Sequence, residues 1–598
     1  MKYSISLFAV MFLVAACGRN NSALIAEAQA FIDQYTEQYL ELQYTSAKAE
    51  WRSNTEIIEG DTTNAANTNR ANQALADFTG SVNNIAQAQK FLQSKGQLDP
   101  LQVKQLDAIL YAAANNPATA ADLVKERIAA ETAQVDVLYG FNFQVDGETL
   151  STNQIDQALR TATDPDRRLA VWEASKEVGV ELASGLTNLV RLRNATVQSL
   201  GYDDYFQYQV SDYGLSSAEM IELMDRFNRE LRPLYRELHT YYRYALAEKY
   251  GQPVPDQIPA HWLPNRWGQD WGALVTVEGL DLDAALAQKD PEWLVQQAER
   301  FYISLGYAAL PQSFYELSSL YPLPEGTAYK KNNHASAWHM DLQNDIRSLM
   351  SVEPDSYWYE TTHHELGHIY YYMAYTNPNV PPLLRSGANR GYHEAMGTLL
   401  GLASTQQPFV EGIGLIEAGA EVDQIQILLK EALNHVVFVP WSCGVMTHFE
   451  HELYSEPLAA EDYNRRWWAL KTRFQGIEPP SPRGPAYCDP ASKTHINNDA
   501  AQYYDYAISG ILLFQLHDHI AREILGQDPH ATNYFGSHEA GEFLWSIMEP
   551  GAAADWRTLL KEKTGEDLSA RAMLDYFQPL MVWLQEQNQG REHTLPEL

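Results

Sequence analysis

One seven-residue stretch, Thr362-His363-His364-Glu365-Leu366-Gly367-His368, limits what this chain can become more than any other. It contains the pattern H-E-x-x-H, read as His364, Glu365 and His368. Residues four apart share one face of an α-helix, one turn above the other. Two imidazoles so placed can grip one divalent ion from the same side. Glu365 follows the first of them, so its carboxylate approaches the open side of the metal without binding it and can take a proton from an activated water. The spacing demands a helix here and predicts a Zn²⁺ site. Of the doubled histidines, only His364 stands four before His368.

Catalytic zinc takes three protein ligands and leaves one position for water or substrate. The next acidic residue in a helix-forming context is Glu394, in Gly391-Tyr392-His393-Glu394-Ala395-Met396-Gly397, 26 residues past His368. The intervening chain has turn signals at Asn377-Pro378-Asn379 and Pro381-Pro382, then Ser386-Gly387-Ala388-Asn389. A second helix carrying the third ligand is the expectation.

Together, HHELGH and RSGANRGYHEAMG resemble the angiotensin-converting-enzyme family of zinc peptidyl-dipeptidases. The resemblance implies one zinc held by His364, His368 and Glu394, with Glu365 as general base. It implies a gluzincin-type site in a mainly α fold, a helical ellipsoid with a deep central cleft between two interleaved half-domains. Interleaving would account for the lack of a linker or internal repeat. Helix-period segments dominate and strand signals are few, which independently argues for a mainly α class.

The resemblance extends from Trp51 to Met573-Leu574-Asp575-Tyr576-Phe577 and implies the residues that hold a peptide. Gln269, in Trp267-Gly268-Gln269-Asp270-Trp271, matches a glutamine that bonds the substrate's terminal carboxylate. Lys493 and Tyr503 would join it there, the lysine giving charge and the neutral donors direction. His334 and Ala335, in Asn333-His334-Ala335-Ser336, match an edge strand. Its histidine donates to a peptide carbonyl and its alanine backbone pairs with the substrate. His495 and Tyr506 would donate to the carbonyl under attack, Tyr506 bracing the oxyanion. The chain carries one residue more than the family pattern between Lys493-Thr494-His495 and the tyrosines, which shifts Tyr503 against that pattern.

Two departures matter. Many members have an aspartate four residues after the ligand glutamate. Here Thr398 stands there, so weaker metal binding is expected unless another carboxylate substitutes. Animal members are often chloride-activated through buried arginines. The matched positions are Asp505, Gln207 and Lys471, so weak or absent chloride activation is expected.

The implied reaction is release of a C-terminal dipeptide from oligopeptides with a free C-terminus. The alternatives are a carboxypeptidase releasing single residues and a lipid-anchored peptide-binding protein without catalysis. The chain's 598 residues, 45% hydrophobic and 20% charged, are ordinary for a globular protein. A net charge of −34 argues against nucleic acid as a partner, since phosphates would be repelled.

Residues 1–17 read as a lipoprotein-type signal: Lys2, a short apolar stretch, then Leu13-Val14-Ala15-Ala16-Cys17 with small residues before the cysteine that would receive lipid. Gly18 after Cys17 resembles sorting to an outer membrane. The expected location is a bacterial cell envelope, lipid-anchored and facing the periplasm, or else secreted to the periplasm. Residues 18–598 would form a single peptidase domain with N-terminal lid helices over about 18–135. Cys443 and Cys488 could pair in that oxidising compartment if they lie close enough. His448-Phe449-Glu450-His451, His517/His519 and His538-Glu539-Ala540-Gly541-Glu542 are read as structural.

Overall fold

Helix caps written into the sequence divide the chain. The computed structural model describes residues 4–58, 60–277, 282–455 and 458–598, with side chains from residue 22 onward. It is 67% helix and 4% strand. Asp164 caps Pro165–Gln198, its side chain accepting from the Asp166 backbone, with Pro165 at the first position, where its missing N–H costs nothing. Ser216 and Glu219 form a reciprocal capping box at the start of Ser217–Tyr250, and Gly251 ends that helix in the left-handed conformation at φ 61°. The polar break at 140–151 is a hairpin of Phe143–Val145 and Glu148–Leu150. Asp146 and Gly147 turn it with positive φ, as the tight turn requires.

The N-terminal segments fold as helices Ser4–Thr55, Thr63–Thr79, Val82–Leu92, Pro100–Ala114 and Ala121–Gly140. The first four share an apolar cluster of their own, in which Ala28, Ile32, Tyr35, Phe91, Leu106 and Ile109 are buried. This layer meets the body at several points. Lys104 donates to the carbonyls of Ala552 (3.2 Å) and Ala554 (2.8 Å), Trp51 meets Trp338 edge-on, and Leu383 packs into the N-terminal cluster. The side chain of Cys17 lies outside the described residues. Among the described residues, no helix is long and apolar enough to cross a membrane.

The body has one apolar core drawing on residues from Ala114 to Leu595. Distant segments interleave within it. Ile258–Pro259 pairs in parallel with Ile477–Glu478, and buried Arg193 donates to the carbonyls of Ile496 and Asn497. Helices Ser356–Tyr375 and Arg390–Thr405 cross backbone to backbone. A Cβ on Gly367 would stand 2.8 Å from the Cα of Gly397. Arg390–Thr405 also packs on Tyr504–His519, so three helices bring their side chains to one place.

One expectation needs correction. The strand near His334 begins at Ser336 and runs to His339, paired with Ile346–Leu349, so His334 and Ala335 precede it. The Asn332 side chain accepts from the His334 backbone N–H at 3.0 Å and holds the chain in a turn there.

Candidate active site

His364 and His368 point their Nε2 atoms at the same spot, 3.1 Å apart. Glu394 brings Oε2 to 3.8 Å from His364 Nε2. One ligand atom from each of the three lies within 4.8 Å of the others, the one such group of three among the described residues. In a tetrahedral zinc site with bonds of about 2.0–2.1 Å, ligand atoms stand roughly 3.3 Å apart, so this donor set fits zinc. The doubled histidine is resolved by the fold. His363 is fully buried on the other face of the helix, its Nδ1 bonded to the Tyr359 carbonyl at 2.7 Å.

Burial pushes His364 and His368 down to about 4, so both are neutral, as ligands must be. Yet the His364 and Glu394 side chains remain 25% and 27% exposed. Crowded surroundings with a path to solvent describe the floor of a cleft rather than a closed core. Glu365 is 6% exposed, and its Oε2 has no hydrogen-bond partner. Burial, then the charge of Glu394, pushes it up to about 8.

The other ring nitrogens set the tautomers. For Nε2 of His368 to bind metal, its Nδ1 must carry the proton and donate to Nδ1 of His393, 2.7 Å away. His364 Nδ1 faces Thr398 Oγ1 at 3.5 Å. That hydroxyl donates to the Glu394 carbonyl at 2.9 Å and is left with a weak acceptor for the imidazole. Thr398→Asp is expected to tighten zinc binding by about tenfold or more, by giving His364 a charged acceptor. A chelator competition that returns equal affinities for both proteins would contradict it.

Three predicted peptide-binding residues meet although they come from distant stretches. Lys493 Nζ donates to Gln269 Oε1 at 2.8 Å, and the Tyr503 hydroxyl lies 3.4 Å from the same oxygen. Lys493 also sits over the Trp267 ring at 4.2 Å. Burial, then nearby Arg266, pushes Lys493 down to about 7, against the opposing charges of Glu450 and Asp156. A turn precedes the tyrosines. Ala501 adopts φ 61°, and its backbone N–H is held by buried Glu450 at 2.7 Å.

The Tyr506 hydroxyl stands 3.5 Å from His495 Nε2. The structure adds a neighbour that sequence reasoning missed: Arg390, whose Nη2 is also 3.5 Å from that hydroxyl. A signal was present, since Arg390 opens a helix at the end where the helix dipole disfavours a cation. His334 is exposed, its backbone held by Asn332.

Two of the other polar motifs have structural partners. His448 pairs with Asp225 at 2.9 Å and stacks on Phe474, and His517 bonds Tyr534 and the Pro529 carbonyl. Cys443 and Cys488 are buried and unpaired. Asp505 accepts from the Tyr213 hydroxyl at 2.6 Å, Gln207 accepts from the Ser217 backbone, and Lys471 donates to the Trp267 carbonyl and to Gln475.

The sequence profile of the family described as angiotensin-converting enzyme matches residues 22–595. An angiotensin-converting enzyme-related protein of Drosophila melanogaster is 32% identical over 457 residues, covering 73% of this chain and 71% of its own. Angiotensin-converting enzyme of Oryctolagus cuniculus is 29% identical over 586 residues, covering 94% of this chain and 43% of its own. That of Bos taurus is 33% identical over 444 residues, covering 71% and 33%. The chain thus spans less than half the length of these mammalian relatives.

Proposed function

The chain belongs to the angiotensin-converting-enzyme family of metallopeptidases, and from that premise we propose that it is a zinc peptidyl-dipeptidase releasing C-terminal dipeptides from oligopeptides. One observation carries the reading. The His364–His368–Glu394 cluster is accompanied by a separate cationic clamp, Lys493 with Gln269 and Tyr503, of the kind that fits a terminal carboxylate. His364, His368 and Glu394 would hold the zinc, which when bound supplies Lewis-acid activation of water and of the scissile carbonyl.

The chain's own residues do the rest. Lys493, Gln269 and Tyr503 fix the carboxylate and so the register of the peptide in the cleft. Glu365 accepts a proton from the attacking water and delivers it to the departing amine. Tyr506 and His495 donate to the carbonyl oxygen as it gains charge. Mass spectrometry of products from an N-terminally blocked pentapeptide tests the reading. A free dipeptide and a blocked tripeptide are expected. A single released amino acid would establish a carboxypeptidase, and the intact peptide a binding protein.

The clamp predicts a pH dependence. Only protonated Lys493 pairs with a carboxylate. Its value in the free protein is about 7 and that of the base Glu365 about 8, so kcat/KM should peak between the two and fall at higher pH, approaching tenfold per unit. Bound carboxylate favours the charged form, so kcat should hold to higher pH. Lys493→Met should remove this alkaline limb and raise KM by about 10- to 100-fold, the loss of one charged hydrogen bond. An unchanged limb in that variant would assign it elsewhere. The same reading includes a lipid on Cys17 holding the protein to a membrane. Cys17→Ala should then move the protein from the membrane fraction to the soluble one, and an unchanged distribution would dismiss the anchor.

A further inference from the structure

Arg390 stands where a helix least favours a cation. It is the first residue of Arg390–Thr405, directly after the cap Asn389, whose side chain accepts from the Tyr392 backbone at 2.9 Å. Unsatisfied N–H groups give that end partial positive charge. A local rule broken in this way calls for a reason that lies outside the helix itself.

What surrounds Arg390 fixes it. Asp499 receives it in a two-pronged pair, Nη1 to Oδ1 at 3.2 Å and Nη2 to Oδ2 at 3.0 Å. Buried Asp505 lies 3.7 Å from Nε and is itself held by the Tyr213 hydroxyl. Gln502 Oε1 is 3.5 Å from Nη1. A guanidinium is planar, so partners on both of its edges leave little freedom in its direction. Nη2 then lies 3.5 Å from the Tyr506 hydroxyl, with the guanidinium carbon 5.7 Å from the ring centre. Arg390 is also four residues before Glu394. The helix that carries the metal carboxylate therefore presents a fixed cation on the same face, one turn away.

We propose that Arg390 is the positioning residue for Tyr506: clamped by Asp499 and Asp505, it sets the direction of the phenol that meets the oxyanion. The inference rests on the reading of Tyr506 as oxyanion donor. Arg390 also opposes burial and the charge of Glu394, which raise the phenol to about 12, and a more acidic phenol is a stronger donor.

A double-mutant cycle on the zinc-loaded enzyme separates the two ideas. Tyr506→Phe should lower kcat by about 100-fold or more, the loss of an oxyanion donor. Arg390→Gln should lower kcat about tenfold with KM within about threefold, and Arg390→Lys should recover part of the loss. The double variant should be no slower than Tyr506→Phe alone, within about threefold, because Arg390 acts through the tyrosine. Losses that multiply in the double variant, or an Arg390→Gln effect confined to KM, overturn the inference and leave the oxyanion reading intact. An unchanged kcat in Tyr506→Phe removes both. Should Arg390→Gln fold poorly, Asp499→Asn, which frees the guanidinium from one side, is expected to give a smaller loss in kcat that again disappears on the Tyr506→Phe background. Its persistence there would count against the inference.

Discussion

Glu365→Gln is expected to lower kcat by about 10³-fold while zinc content and peptide affinity stay near those of the parent, since general-base catalysis contributes about 10²- to 10⁴-fold. The substitution keeps the shape and removes the basic carboxylate. Stability should hold or rise. The parent carboxylate is buried, has one oxygen without a hydrogen-bond partner, and feels the charge of Glu394. An unsatisfied buried polar atom costs about 1–3 kcal/mol, and an active site tolerates that cost because the group must be ready to take a proton. Steady-state kinetics, metal analysis and a thermal melt on one preparation check all three statements. A variant keeping more than about a tenth of parental kcat would take Glu365 out of the reaction.

Glu394→Ala is expected to lose zinc on dialysis against a chelator, with activity falling in proportion to metal content. Two imidazoles on one helix remain, but a carboxylate ligand and its negative charge are gone. The second readout is thermal. A ligand at about 1,000 times its dissociation constant stabilises the folded state by about 4 kcal/mol. The parent should therefore melt several degrees higher with zinc than after chelation, and the variant should show almost no such difference. Equal chelator resistance in the two proteins would remove Glu394 from the ligand set.

The metal cluster was legible in the sequence because its chemistry is local. His364 and His368 owe their geometry to one helical turn, and Glu394 to a second helix that caps and turn residues announce. The helical class was legible for a related reason. Cap signals at Asp164-Pro165 and the heptad-like spacing of Ala28, Ile32 and Tyr35 report on structure that forms within a few residues. The Lys493–Gln269–Tyr503 clamp was different. No periodicity joins residues more than two hundred positions apart, and only family resemblance suggested them. The strand also starts later than expected, because Asn332 draws the chain into an Asx turn just before it. Arg390 escaped notice inside a quoted motif. Its role depends on Asp499, Asp505 and Tyr506, and their proximity exists only once Arg390–Thr405 lies against Tyr504–His519.

The crossing at Gly367 and Gly397 also sets how closely the helix of the glutamate approaches that of the imidazoles. Neither residue has a side chain to yield, and a methyl on Gly397 would stand 2.8 Å from Nδ1 of His364. The separation of the helix that bears the imidazoles from the one that bears the glutamate is thus gauged by main chain against main chain, like the jaws of a caliper. An alanine at either position could be seated only by parting those two helices, and the imidazoles would move off the glutamate with them.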